Sequence, residues 1–199
     1  MTSTAIQLFT KRRTQYAIGK NLPLSEAQVE ALIHEAVRQA PSAFNSQSSR
    51  VVILFGAQHE KLWNFTRETL RAIVPADAFV TTDAKMTSFA AGAGTVLFFE
   101  DHDVVDELQN KFPIYADKFP MFSEHSSGMA QYAVWTVLAE AGIGASLQHY
   151  SPLIDEQVAS TWGLPASWKL RAQMPFGSNE KPIGDKTFIA DDVRFKTFR

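Results

Sequence analysis

Ala40-Pro41-Ser42-Ala43-Phe44-Asn45-Ser46-Gln47-Ser48-Ser49-Arg50, followed by Val51-Val52-Ile53-Leu54-Phe55, joins a helical pattern to an apolar run of strand length. Pro41 disfavours helical backbone at the residue before it, so the helix stops there. What remains is a loop of small and polar residues held between two rigid elements, a common setting for a site. Ser42, Asn45 and Gln47 bring hydroxyl and amide groups that donate and accept. They suit a flat heterocycle bearing ring nitrogens and carbonyls. Alone, they also suit an ordinary helix-to-strand connection.

Upstream, Leu24-Ser25-Glu26-Ala27-Gln28-Val29 reads as a helix start, with Ser25 capping, Gln28 reaching back and Leu24 packing on Val29. Val29, Leu32, Ile33, Ala36, Val37 and Ala40 recur at three- and four-residue steps and predict one buried face. Before them, Ala5 to Phe9 reads as a short helix running into the basic Arg12-Arg13-Thr14 cluster. Downstream, Val51 to Phe55 reads as a strand covered on both faces. Gln58 to Ile73 reads as a helix with Leu62, Phe65, Thr69 and Ile73 inward. A further segment runs from Pro75 to Ala91, and after Gly92-Ala93-Gly94 the run Thr95 to Phe99 gives a second buried strand. Asp101 to Phe112 is an amphipathic helix. The aromatic, proline-punctuated stretch Phe112 to Phe122 suits a lid or a partner contact.

Ser123 is expected to cap a helix whose interior, Met129 to Ala139, is apolar all round, and Gly142 to end it. Gly144 to Leu147 reads as a third short strand, and Pro152 to Trp162 as a short helix closed by Gly163. Trp168, Leu170, Ala172 and Met174 alternate with Lys169, Arg171 and Gln173, a strand with one polar face that Pro175 should end. The tail carries Phe188, Ile189, Val193, Phe195 and Phe198, which suggests that it docks. With no repeat, low-complexity tract or linker, residues 1–199 read as one α+β domain, a central sheet flanked by helices.

The chain has 199 residues, 45% hydrophobic and 20% charged, with a formal net charge of −2. That balance fits a soluble globular protein and gives no footprint for nucleic acid. No apolar run approaches a membrane span and no signal peptide is visible, so a cytoplasmic location is expected. The absence of cysteine excludes disulfides and thiolate catalysis. Five scattered histidines lack metal-ligand spacing. The Gly92/Gly94 and Gly142/Gly144 pairs precede strands instead of following them, the wrong order for a dinucleotide fingerprint. The Arg12-Arg13-Thr14 cluster suits a phosphate, though taken alone it reads first as a solvated surface patch. Taken alone, His149 reads as a packing or surface residue and Lys85 as a solvated lysine.

The order of these pieces resembles the flavin-dependent nitroreductase family. An Arg-Arg-Thr cluster is followed by a Pro-Ser-Ala-Phe-Asn-Ser-Gln loop, a Lys85-Met86 pair before a strand, a buried central helix, a small-residue turn and a basic tail. Gly94-Thr95-Val96-Leu97-Phe98-Phe99-Glu100-Asp101 and Gly144-Ala145-Ser146-Leu147-Gln148-His149-Tyr150 resemble the branch of the yeast fatty-acid-repression-mutant protein. The resemblance covers nearly the whole chain. It implies a mostly antiparallel sheet and a homodimer that exchanges C-terminal tails and binds FMN between its subunits. It implies NADH or NADPH as donor and nitroaromatic or quinone-type acceptors, reduced in turn at one site. By position, Arg12 would hold the FMN phosphate, with Arg13 and Thr14 along its approach and Lys186 and Arg194 completing it. Ser42, Asn45 and Gln47 would follow the ribityl chain and ring edge. The Gln148-His149 segment would present a backbone N–H to flavin N5. Many members carry Arg or Lys where this chain has Tyr16, so Lys85 is expected to supply charge at the pyrimidine edge. Phe44, Tyr115, Phe119 and Phe122 are candidate pocket walls, and equally candidates for plain core or dimer contact. The rival expectation is a flavin- or lipid-binding regulatory protein with little turnover; a hydrolase comes third.

Overall fold

The computed structural model describes residues 3–199. Its helices are α1 (Thr4–Lys11), α2 (Glu26–Gln39), α3 (Gly56–Arg71), α4 (Phe79–Ala90), α5 (His102–Lys111), α6 (Phe119–Glu140), α7 (Asp155–Trp162) and α8 (Asp191–Arg194). Its strands are β1 (Ile18–Gly19), β2 (Ser49–Phe55), β3 (Gly94–Asp101), β4 (Gly144–Ala145) and β5 (Trp168–Asn179), in the order β1-β5-β3-β2 with β4 also on β5. Every strand pair is antiparallel.

β3 is buried along its whole length, and its period-2 alternation serves two cores at once. Leu97 and Phe99 join Leu62, Trp63, Phe89 and Val158 from α3, α4 and α7. Val96 and Phe98 join Val29, Ile33, Val134 and Leu138 from α2 and α6 on the other face. Burying each such side chain contributes on the order of 1.5–3 kcal/mol. The register between β3 and β5 shifts between Phe98 and Phe99, so that Ala172 and Leu170 become neighbouring partners. This irregularity is why Leu170 and Ala172, two residues apart, serve opposite cores.

Several expectations need correction. Val51 to Phe55 lies in the edge strand β2, where Leu54 is buried and Val52 packs on one core while Val51, Ile53 and Phe55 pack on the other, so both faces are covered, though only in part. Pro175 does not end β5, which runs on to Asn179. The Pro175 carbonyl accepts from Ser146 at 3.2 Å. N–H and C=O of one residue point the same way from a strand, so the missing donor faces the short β4 side and leaves the β3 ladder intact. The expected polar face of β5 is also absent at Gln173, which is 0% exposed. Ser123 does not cap α6: the helix begins at Phe119 with Pro120 in its first turn, and Ser123 is buried, donating to the Pro120 carbonyl at 2.9 Å. Ile73 lies beyond α3 and is exposed, while Trp63, Thr66 and Leu70 face inward. α6 is open on one side, where Met129 and Tyr132 are each 39% exposed. The tail from residue 182 onward is exposed throughout.

Candidate functional site

The loop between α2 and β2 carries concentrated backbone strain. Phe44, Asn45 and Gln47 have φ of 57°, 50° and 49°, a left-handed region that costs a non-glycine residue about 1 kcal/mol or more. Neighbouring groups hold it in place. The Ser42 hydroxyl accepts from the Gln47 N–H at 2.9 Å, and Arg50 donates to the Gln47 carbonyl at 2.5 Å. The Ser48 and Ser49 hydroxyls each donate to the Glu100 carboxylate at 2.5 Å. Glu100 is fully buried, and burial raises its carboxyl pKa against the opposing pull of those two hydroxyls. The Phe44 ring packs on Phe112, Phe119 and Tyr115, at centroid distances of 5.0, 5.3 and 6.3 Å. Held this way, Ser42 and Gln47 line a cleft of about 340 Å³ with His34, Ser49, Arg50 and Ser126. Asn45 is exposed on the same loop.

A second group forms where the N-terminal segment meets β4. Thr14 bridges Ala145, and the Gln15 N–H donates to the Ala145 carbonyl at 2.9 Å. The basic cluster splits there. The Arg12 guanidinium lies 4.4 Å from the Trp135 ring centroid and 5.7 Å from that of Tyr132, and its Nε is buried without a partner among the described residues. Arg13 donates to the Gly184 carbonyl at 2.8 Å and shares a cavity of about 330 Å³ with Lys186, Phe188 and α1. Among the described residues, none of these three cations pairs with a carboxylate. Arg194 stands apart on α8, its guanidinium 5.6 Å from the Phe195 ring.

A third group surrounds Phe89. The Tyr16 ring is 6.4 Å from it by centroids, and Lys85 Nζ is 5.8 Å from its centroid. Trp63 links Phe89, at 4.8 Å, to Tyr150, at 5.9 Å. The Tyr150 phenol is pushed up to about 12, by burial first and by Tyr16 second. In the adjoining segment, the Gln148 N–H donates to the Gln173 carbonyl at 2.7 Å and the Tyr150 N–H to Gln173 Oε1 at 2.8 Å. The Gln148 amide is buried and donates to Ser146 Oγ at 3.1 Å. His149, exposed between them, keeps an N–H with no acceptor among the described residues. Of the Gln148-His149 pair, only His149 has a backbone donor to offer. Sequence reasoning missed Gln173, whose place in an alternating strand looked like a solvated face.

The structure thus gathers Ser42 with Gln47, Arg13 with Lys186, and Tyr16 with Lys85. In one chain these groups do not share a single cavity. An open antiparallel sheet between two helical layers, each layer packed on one face of the sheet, is the frame that carries these three groups. The Nitroreductase family model matches residues 9–178, and the chain belongs to that family of oxidoreductases. Nitroreductase CinD from Lactococcus lactis, solved in complex with chloramphenicol, is similar at 49% identity with a TM-score of 0.91, covering 98% of this chain and 100% of its own. The same protein solved with 4-nitrophenol gives 49% and 0.90 over the same spans. The Saccharomyces cerevisiae protein HBN1 is 36% identical over 193 residues, 96% of each chain, and yeast nitroreductase FRM2 is 32% identical over 193 residues, 94% of each. A nitroreductase with bound FMN from Desulfitobacterium hafniense shares the fold, with a TM-score of 0.73 at 13% identity over the full length of both chains.

Proposed function

We propose that this chain is an FMN-dependent oxidoreductase that draws on NADH or NADPH and reduces nitroaromatic or quinone-type acceptors. The observation that carries this reading is a set of uncompensated groups among the described residues: Arg12, Arg13 and Lys186 without counter-ions, and the His149 N–H without an acceptor between two that have one. A phosphate dianion would offset those cations, and a buried guanidinium nitrogen without a partner marks a place where an acceptor is missing. FMN fits this donor set. When bound, it supplies a ring that accepts a hydride equivalent from reduced nicotinamide and passes two electrons to an acceptor using the same place.

The chain's own residues bind and orient. Arg12, Arg13, Thr14 and Lys186 hold the phosphate, with Arg194 brought in by the tail. Ser42, Asn45 and Gln47 line the ribityl chain and ring edge. Because that loop and the basic cluster are separate in one chain, each site takes the loop from a second copy. The His149 N–H donates at the hydride-accepting nitrogen, and Lys85 with Tyr16 faces the pyrimidine edge. The complexes of CinD with chloramphenicol and 4-nitrophenol support a nitroaromatic acceptor. The test is the visible spectrum of the purified protein before and after NADPH, followed by steady-state rates with 4-nitrophenol. A yellow protein that bleaches and gives parallel double-reciprocal lines is expected. A colourless protein that binds no FMN sinks the reading, and a yellow one that never turns over favours a regulatory flavoprotein.

A further inference from the structure

Gln173 sits mid-strand in β5, 0% exposed, and four hydrogen-bonding groups of that one residue bear on the question. Its backbone N–H donates to the Gln148 carbonyl at 2.9 Å, and its backbone carbonyl accepts from the Gln148 N–H at 2.7 Å. Its side-chain Oε1 accepts from the Tyr150 N–H at 2.8 Å. Its side-chain Nε2 is buried and has no partner among the described residues. The first three bonds bracket His149 on both sides. The pairing of 148 with 173 is a single isolated bridge, so no longer ladder fixes the segment after it.

Among the described residues the fourth group finds no acceptor, so the bond from Tyr150 is the one hydrogen bond this side chain makes among them. A buried amide nitrogen left unbonded costs about 1–3 kcal/mol. Methionine is of similar length and volume and would bury no such donor. What methionine cannot supply is an acceptor for the Tyr150 N–H. That bond turns the backbone at 150 into the sheet and leaves the 149 donor outside it. On either side, the Gln148 amide donates to Ser146 Oγ at 3.1 Å and the Ser151 hydroxyl to the Leu170 carbonyl at 3.1 Å, while the Tyr150 ring rests on Trp63, whose indole N–H is held by Thr95 at 2.9 Å.

We infer that Gln173 is a positioning residue for the reaction, its side-chain carbonyl clamping Tyr150 so that the His149 N–H alone is presented to the ring that accepts hydride. The inference rests on the FMN reading above and deepens it. Gln173 is fully buried, so it acts through the 148–150 backbone. Displacements of about 1 Å at a reacting centre can cost up to about a hundredfold in rate, so loosening this segment should register in the chemical step.

The experiment compares wild type, Gln173→Met and Gln173→Glu, the last keeping an acceptor oxygen in the same place. In flavin-free protein, amide exchange at Tyr150 is expected to rise at least tenfold in Q173M and to stay within about twofold of wild type in Q173E. With FMN at full occupancy, single-turnover reduction by NADPH is expected to slow about tenfold in Q173M. The midpoint potential of the bound flavin should also move, which a change in folding stability alone would not produce. Wild-type exchange and wild-type reduction in Q173M overturn the inference. Should Q173M fail to fold, Gln173→Asn, which withdraws the carbonyl by one methylene, replaces it; Tyr150 exchange as slow as wild type then overturns the inference. A protein that never binds FMN defeats the functional reading but leaves the exchange prediction standing, so the two failures are distinct.

Discussion

His59 is buried against Thr95, its Nδ1 2.8 Å from the Thr95 hydroxyl that also accepts from the Trp63 indole. Burial depresses its imidazole to about 4. An unfolded chain takes up that proton near pH ~6.5, whereas the folded one resists until about pH 4. Between those values the unfolded state binds more protons, so stability falls as pH drops, by up to about 3 kcal/mol. Urea unfolding from pH 7 to pH ~4.5 measures this slope, and His59→Asn should flatten it. An unchanged slope in that variant would assign the acid sensitivity elsewhere. Glu100 acts with the opposite sign: its raised carboxyl lets the folded state bind the extra proton first. Glu100→Gln should therefore steepen the acid loss. At the proposed flavin edge, Lys85 is exposed and makes no ion pair among the described residues. A cation near the negative charge of reduced flavin favours reduction. Lys85→Met should make the midpoint potential more negative with FMN still bound; an unmoved potential removes Lys85 from the site.

Among the elements, those with strong local signals were readable from the residues. The capping box at Ser25 and Gln28 is present as expected, with bonds of 3.3 and 3.0 Å, and β3 is the buried strand its apolar run implied. What escaped reading was decided by tertiary context. Pro175 looks like a strand end until its carbonyl direction is known, and Gln173 looks solvated until the 148–150 segment is seen to pair with it. Ser123 carries a cap signal while Pro120, in the true first turn, reads as a breaker, so the sequence puts the start of α6 too late. The 42–49 loop was singled out for its chemistry, but its three left-handed residues left no sequence mark, since none is glycine. That strain yields a test. Gln47 uses its backbone N–H and carbonyl to close the loop, and its side chain is exposed. Gln47→Ala keeps the left-handed strain and Gln47→Gly relieves it, so the glycine variant should be more stable by about 1 kcal/mol. Both remove the amide from the proposed ring edge, so both should weaken FMN binding by a similar factor, about tenfold. Equal stabilities would show that φ at 47 carries no strain. An unweakened FMN affinity would take Gln47 out of the site.

At the scale of the molecule, the unspent groups and the uncovered apolar surface lie on the same parts of the chain. α1 and the open side of α6 expose Phe9, Met129 and Tyr132, which with Leu32 and Val137 line a groove of about 490 Å³. The tail exposes Phe188, Ile189, Phe195 and Phe198, with Phe198 92% exposed. Apolar surface of this extent on two elements calls for a cover, and a second copy of the chain would bring the tail of one onto the body of the other. Among the described residues, Arg13's bond to the Gly184 carbonyl and the cavity that Arg13 and α1 share with Lys186 and Phe188 tie the tail to its own chain. The tail would then carry two roles, apolar cover and a phosphate-binding lysine, and these can be separated. Ending the chain at Asp185 removes both, so dimer and flavin should be lost together, read by sedimentation and by visible absorbance. Lys186→Ala in the full-length chain removes only the cation; it should remain dimeric while its FMN affinity falls, with a weaker dependence on salt. A truncated protein that stays dimeric and yellow would place both the interface and the phosphate site entirely within residues 1–185, and the exchange of tails would have to be abandoned.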